Sequence, residues 1–109
     1  MTSKIIPAGL DGMPPMHPGE LLKEMYLDPM GLSVNKLAER MHVTATRIND
    51  VVRGKRGITA DTALRLGKVL GTSAQLWLNL QIMYEIRLIE TSEDDSISML
   101  KPFETMEFA

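Results

Sequence analysis

The chain has 109 residues, enough for one small domain with short tails. Twelve Lys and Arg stand against fourteen Asp and Glu, a net charge of −2, and aromatics are only 5 %, so the core must come mainly from Leu, Ile, Val and Met. The absence of cysteine excludes a disulfide scaffold, thiol catalysis and Cys-ligated zinc or iron–sulfur sites. No stretch approaches the ~18 consecutive apolar residues of a membrane span, and the N-terminus lacks the basic-then-apolar layout of a signal peptide. A reducing, cytoplasmic location is therefore expected.

The charge is uneven along the chain. Residues 33–68 carry eight bases (Lys36, Arg40, Arg47, Arg53, Lys55, Arg56, Arg65, Lys68) against Glu39, Asp50 and Asp61. Residues 69–84 carry none, and residues 85–109 carry seven acids against Arg87 and Lys101. A basic middle between acidic ends points to a local anion-binding face.

Residues 1–16 contain Pro7, Gly9, Gly12, Pro14 and Pro15 and read as an extended arm. Five helical segments are expected between residues 17 and 90. The first begins at Pro18, since proline is favoured where its missing N–H needs no partner. Glu20 suits its positive first turn. Leu21, Leu22 and Met25 form its inner face, and Pro29 and Gly31 stop it. The second follows the cap residue Ser33. Its stripe of Val34, Leu37, Ala38 and Met41 falls at helical spacing. The third follows Thr44, buries Ile48, Val51 and Val52, and ends at Gly54. The fourth follows Thr59, buries Ala63, Leu66 and Val69, and ends at Gly71. The fifth follows Ser73 and reaches about Ile89.

On the fifth helix Leu76, Trp77, Leu80, Met83 and Tyr84 fall on one side. Leu78, Ile82, Ile86 and Ile89 form a second stripe roughly opposite. One stripe closes a core; the second needs a partner, and a second copy of the chain is the expected one, the alternative being cover by residues 1–16 or 97–109. Residues 91–109 form an acidic tail. Within it 91–96 read as a linker and Ser96 to Leu100 as a short strand ended by Pro102. Five helices without a convincing sheet make an all-α domain.

The stretch Val34 to Arg53 carries the chemistry. Two short helices joined by Met41-His42-Val43 have the length of a helix-turn-helix. Ala38 is small where the helices approach, and Met41, Val43, Ile48 and Val51 fill the wedge. His42 occupies a turn position that usually takes glycine for its positive φ. Ala45, Thr46, Asn49, Asp50 and Arg53 then lie on the outward side, with Arg47 at its edge. Such a helix reads base edges in the major groove of double-stranded DNA. Ala45 suits a thymine methyl, Thr46 a base or phosphate, and Asn49 an adenine. Arg47 suits guanine or phosphate. Asp50 either accepts from cytosine or orients a neighbouring Arg. Thr44 with the helix-start N–H groups, and Arg53, Lys55 and Arg56 beyond the helix, are placed for phosphates. The bland alternatives are an Arg47–Asp50 surface ion pair and an ordinary charged loop at Lys55 and Arg56.

The only imidazoles, His17 and His42, have no metal-ligand spacing and read as helix-start and turn residues. No catalytic constellation, metal or cofactor is expected.

Several blocks together resemble HigA-type antitoxins, a branch of the Xre-like, phage-repressor-like family. They are His17-Pro18-Gly19-Glu20, Leu37-Ala38-Glu39-Arg40, Arg47-Ile48-Asn49, the run Gly54-Lys55-Arg56-Gly57-Ile58-Thr59-Ala60-Asp61-Thr62-Ala63-Leu64-Arg65-Leu66, Gly71-Thr72-Ser73 and Trp77-Leu78-Asn79-Leu80-Gln81. The resemblance covers about residues 14–90. It implies a five-helix phage-repressor-like domain that binds palindromic operator DNA as a homodimer. It also implies an antitoxin that neutralises a HigB-type mRNA-cleaving toxin and represses its own operon. By motif position Ala45, Thr46 and Asp50 match base-reading residues, Arg53 a phosphate contact and Arg56 a DNA-contacting loop. His42 departs from the family's turn glycine. A regulator on the same fold without a toxin, and a protein-interaction module that no longer binds DNA, are the alternatives. Glu104 and Glu107 make the tail a candidate cover for a basic partner surface.

Overall fold

The computed structural model describes residues 14–104. The expected arm lies mostly outside the described residues, as does Glu107. The elements are α1 (Pro18–Leu22), a π-helical turn (Lys23–Leu27), α2 (Asp28–Met30), α3 (Val34–Met41), α4 (Ala45–Val52), α5 (Ala60–Leu70) and α6 (Ala74–Glu90). The first three run on as one rod, so the chain forms five helical rods, with no strand among the described residues.

Local chemistry sets the boundaries. The hydroxyls of Ser33, Thr44, Thr59 and Ser73 each accept the N–H three residues on, satisfying a donor that the helix itself leaves open. His42 closes α3 at φ 59°, ψ 44°, the left-handed conformation the turn demands.

The first rod departs from expectation at two places. Pro29 does not end it; the helix continues to Met30 and closes at Gly31. The turn before Pro29 widens, with the Asp28 N–H donating to the Lys23 carbonyl five residues back. This loosens the ladder where proline has no N–H to give and its ring would crowd an ordinary turn. The extra residue also rotates the inner face. From Leu22 the next buried position is Leu27, Tyr26 packs on the core, and Met25 is exposed rather than inward. The tail is also not a strand. Residues 96–99 are turns, with the Ser96 N–H on the Asp94 carboxylate and the Leu100 N–H on the Ile97 carbonyl. Short polar side chains bonding their own backbone compete with extended structure in this way.

The core joins Leu22, Leu27, Leu37, Ala38, Met41, Ile48, Val51, Ile58, Ala63, Leu66 and Trp77. Ala38, Met41, Ile48 and Val51 fill the helix-turn-helix wedge as expected, with Val43 half-buried. Trp77 anchors α6: its Nε1 donates to Thr72 Oγ1 at 2.8 Å and its ring meets Tyr26.

His17 ties the start of α1 to this core. Its Nδ1 accepts the Gly19 N–H at 2.9 Å and its ring lies edge-on to Tyr84. Burial lowers its pKa, opposed by a hydrogen bond to the Arg56 main chain and by the charge of Glu20. The folded chain therefore favours the neutral ring. That contribution is fully present above about pH 6.5 and is lost as pH falls from there, because the unfolded chain takes up the proton first. The urea midpoint of the wild type should fall more between pH 7.5 and 5.5 than that of His17→Asn, which keeps a capping acceptor and does not titrate. Equal falls in the two proteins would contradict this.

Candidate nucleic-acid interface

Helix α4 is held from behind and open in front. Ile48 and Val51 are fully buried, while Thr44, Thr46, Asn49 and Arg53 are exposed and Ala45, Arg47 and Asp50 half-exposed. Ile48 and Val51 are three residues apart, with partly buried Val52 four from Ile48, so the outward set forms a second face. Thr44 Oγ1 takes the Arg47 N–H at 3.1 Å, leaving the N–H groups of Ala45 and Thr46 at the positive helix end.

The loop after α4 folds back on it. The Asp50 carbonyl accepts the N–H of Lys55 at 2.8 Å and of Arg56 at 3.2 Å. The Asp50 carboxylate lies 3.5 Å from the Arg56 guanidinium. Asp50 thus orients a neighbouring arginine, one of its two expected roles. Gly54, at φ 76°, makes the reversal possible and passes the His17 ring. Farther on, Gln81 of α6 accepts the Ile58 N–H at 2.8 Å through Oε1 and donates to Glu85 through Nε2. The basic loop with Arg53, Lys55 and Arg56 is therefore pinned by α1, α4 and α6 together.

Arg47 is not paired with Asp50. Its Nη1 donates to Asp61 Oδ2 at 2.7 Å, at the start of α5. Arg65 Nε reaches the same oxygen at 3.0 Å, and Arg65 Nη1 donates to the Met41 carbonyl at the end of α3. The hydrogen bond from Arg47, then that from Arg65, holds the Asp61 carboxyl below the usual carboxylate range. Sequence reasoning missed this cluster and Gln81. The spacing of Asp61 and Arg65 is an i, i+4 pair on one helix face. The contact with Arg47 spans two helices and has no sequence signature.

The second stripe of α6 is exposed at Ile82, Ile86 and Ile89, whereas Leu78 is half-buried against the core. Leu76, expected inside, faces solvent, and Gln81 takes an inward place instead. Among the described residues no group of His, Asp or Glu is arranged to hold a metal, and no helix is long and apolar enough to cross a membrane.

A helix-turn-helix family profile matches residues 22–77, from the first rod to the start of α6. The virulence-associated protein I of Dichelobacter nodosus is 52 % identical over 92 % of each chain. The antitoxin HigA of Pseudomonas aeruginosa, solved with the higBA promoter, is 40 % identical, with 81 % of this chain and 97 % of that one covered at a TM-score of 0.75. The chain belongs to the helix-turn-helix family that includes the HigA antitoxins. A second Pseudomonas aeruginosa structure, solved in complex with 18-base-pair operator DNA, is 41 % identical, with 84 % of this chain and all of that one covered at a TM-score of 0.78. In this family the exposed face of α4 and the basic loop after it sit on a scaffold that relatives have carried into operator complexes.

Proposed function

We propose that the protein is a cytoplasmic, sequence-specific transcriptional repressor and the antitoxin of a type II toxin–antitoxin system. It acts as a homodimer on a palindromic operator, represses its own operon and neutralises a HigB-type mRNA-cleaving toxin. It is a binding protein and not an enzyme. Residues 17–90 are the DNA-binding domain, with 1–16 an arm and 91–109 a tail. The observation that carries this reading is the outward face of α4, open to solvent and followed by a folded basic loop.

Each residue then has a role. Ala45, Thr46, Asn49 and Asp50 meet base edges, and Asp50 also steadies Arg56. Thr44 and the helix-start N–H groups, Arg53, Lys55 and Arg56 hold phosphates. Arg47 lies at the groove edge with its guanidinium turned to Asp61. Leu78, Ile82, Ile86 and Ile89 form the dimer face, whose two-fold axis sets two α4 helices in successive major grooves ~34 Å apart.

The test is a titration of the full chain on the duplex upstream of its own gene, across a range of salt. Affinity should fall steeply with salt as phosphate contacts release counterions. Arg53→Ala should weaken binding to every sequence and flatten the salt dependence by about one unit of slope. Thr46→Ala should change preference among operator variants more than overall affinity. Salt-insensitive binding would favour a protein-interaction module. A small basic open reading frame should lie beside the gene, and co-expression with its product should yield a stable complex and relieve its toxicity.

A further inference from the structure

The cations on and beside the DNA-binding face are paired differently, Arg56 lying 3.5 Å from the Asp50 carboxylate. Arg53 and Lys55 form no ion pair among the described residues. Arg47 and Arg65 converge on one oxygen of one carboxylate, Asp61 Oδ2, at 2.7 Å and 3.0 Å. Arg47 also approaches Thr62 Oγ1 at 3.5 Å. The Asp61 carboxylate is half-exposed. An ion pair so open to water adds little to stability, so this one is a poor candidate for holding the fold together. Its position is telling: it takes the third residue of α4, between the exposed Thr46 and the buried Ile48, and points its guanidinium toward α5.

We propose that Asp61 is a specificity-determining residue of the DNA-binding face. By engaging Arg47 and Arg65 it withholds two guanidiniums from the phosphate backbone, which is the same in every sequence. Its own negative charge opposes nearby phosphates as well. Contacts to base edges by Ala45, Thr46 and Asp50 then decide where the protein settles. This rests on the DNA-binding reading above. The reasoning is that of counterion release: each added phosphate contact strengthens binding to any duplex and steepens its salt dependence, without discriminating among bases.

Asp61→Asn in the full chain tests it. Binding is measured by fluorescence anisotropy on the upstream duplex and on a scrambled duplex of equal length and composition, at several salt concentrations. The variant should bind the scrambled duplex about tenfold more tightly at low salt, with a slope steeper by about one. The ratio of upstream to scrambled affinity should fall accordingly. Asp61→Glu should restore the wild-type ratio. Adding Arg47→Ala to Asp61→Asn should remove the gain on the scrambled duplex. Arg65→Gln, an independent arm, leaves Asp61 wholly to Arg47 and should lower scrambled-duplex affinity. If both duplexes weaken together at unchanged slope, or neither changes, Asp61 is only a structural carboxylate and the proposal fails. A wild type that does not distinguish the two duplexes overturns the DNA-binding reading itself, a separate outcome.

Discussion

Ile86→Asp should give a folded monomer with operator affinity reduced by at least about a hundredfold, the order expected when two linked sites become independent. Helix α6 runs 17 residues, and its inner side is anchored by Trp77. Its outer side leaves Ile82 53 %, Ile86 46 % and Ile89 54 % exposed. Three branched apolar side chains at this exposure, spaced four and three residues apart on one helix face, form a patch, unlike the scattered apolar residues of an ordinary surface. Complete burial of each adds roughly 1.5–3 kcal/mol relative to exposure, counted on both copies of a symmetric pair. A carboxylate within that patch would have to lose its water when the face is covered by a second copy, a cost the apolar isoleucine side chains beside it do not offset. Ile86 lies outside the core cluster, so the monomer should keep its helical circular dichroism. Sedimentation should show one mass, and the DNA titration should lose its half-site cooperativity. A dimer of unchanged affinity would remove α6 from the interface.

The helices were legible because their ends are chemical. Ser33, Thr44, Thr59 and Ser73 each announce a start, and each makes the expected bond. His42 was legible from its place at a turn position that usually takes glycine, and it does adopt positive φ there. The inner wedge of the helix-turn-helix followed from periodicity. What escaped notice was whatever depends on two elements at once. The widened turn before Pro29 shifts the buried face by one residue, and a count at fixed helical period does not allow for it, because the proline reads equally as a stop. Arg47 chose Asp61, fourteen positions away, over Asp50, three away on its own helix. The nearer carboxylate was taken by the returning loop at Arg56. Gln81 reads as a polar break in an apolar helix, yet it is buried because the Ile58 N–H needs an acceptor there. For the outward face of α4 the residue list was readable. The roles of its charges within that list came only with the packing of α5.

Gly19→Ala should destabilise the protein by about 3 kcal/mol or more, beyond the usual range for an overpacked core site. Helix propensity alone predicts the opposite sign, since alanine is favoured over glycine within a helix by nearly 1 kcal/mol. The difference is the crossing of α1 over α4. A β-carbon at Gly19 would overlap the Val51 carbonyl oxygen, lie 2.7 Å from its carbon and touch the Val52 Cα at 3.0 Å. These are main-chain atoms of the DNA-facing helix, with no rotamer by which to withdraw. Either α1 lifts away or α4 yields, and both outcomes disturb the His17 bond to the Gly19 N–H and the loop that His17 supports at Arg56. Thermal unfolding should shift down by roughly 10–20 °C for a domain of this size. Gly31→Ala is the informative control. Gly31 has φ +59° with open space around it, so its substitution carries only the left-handed conformational cost of roughly 1–2 kcal/mol. If Gly19→Ala proves neutral or stabilising, α1 does not lie against the α4 backbone, and the support of the basic loop from behind must come from elsewhere.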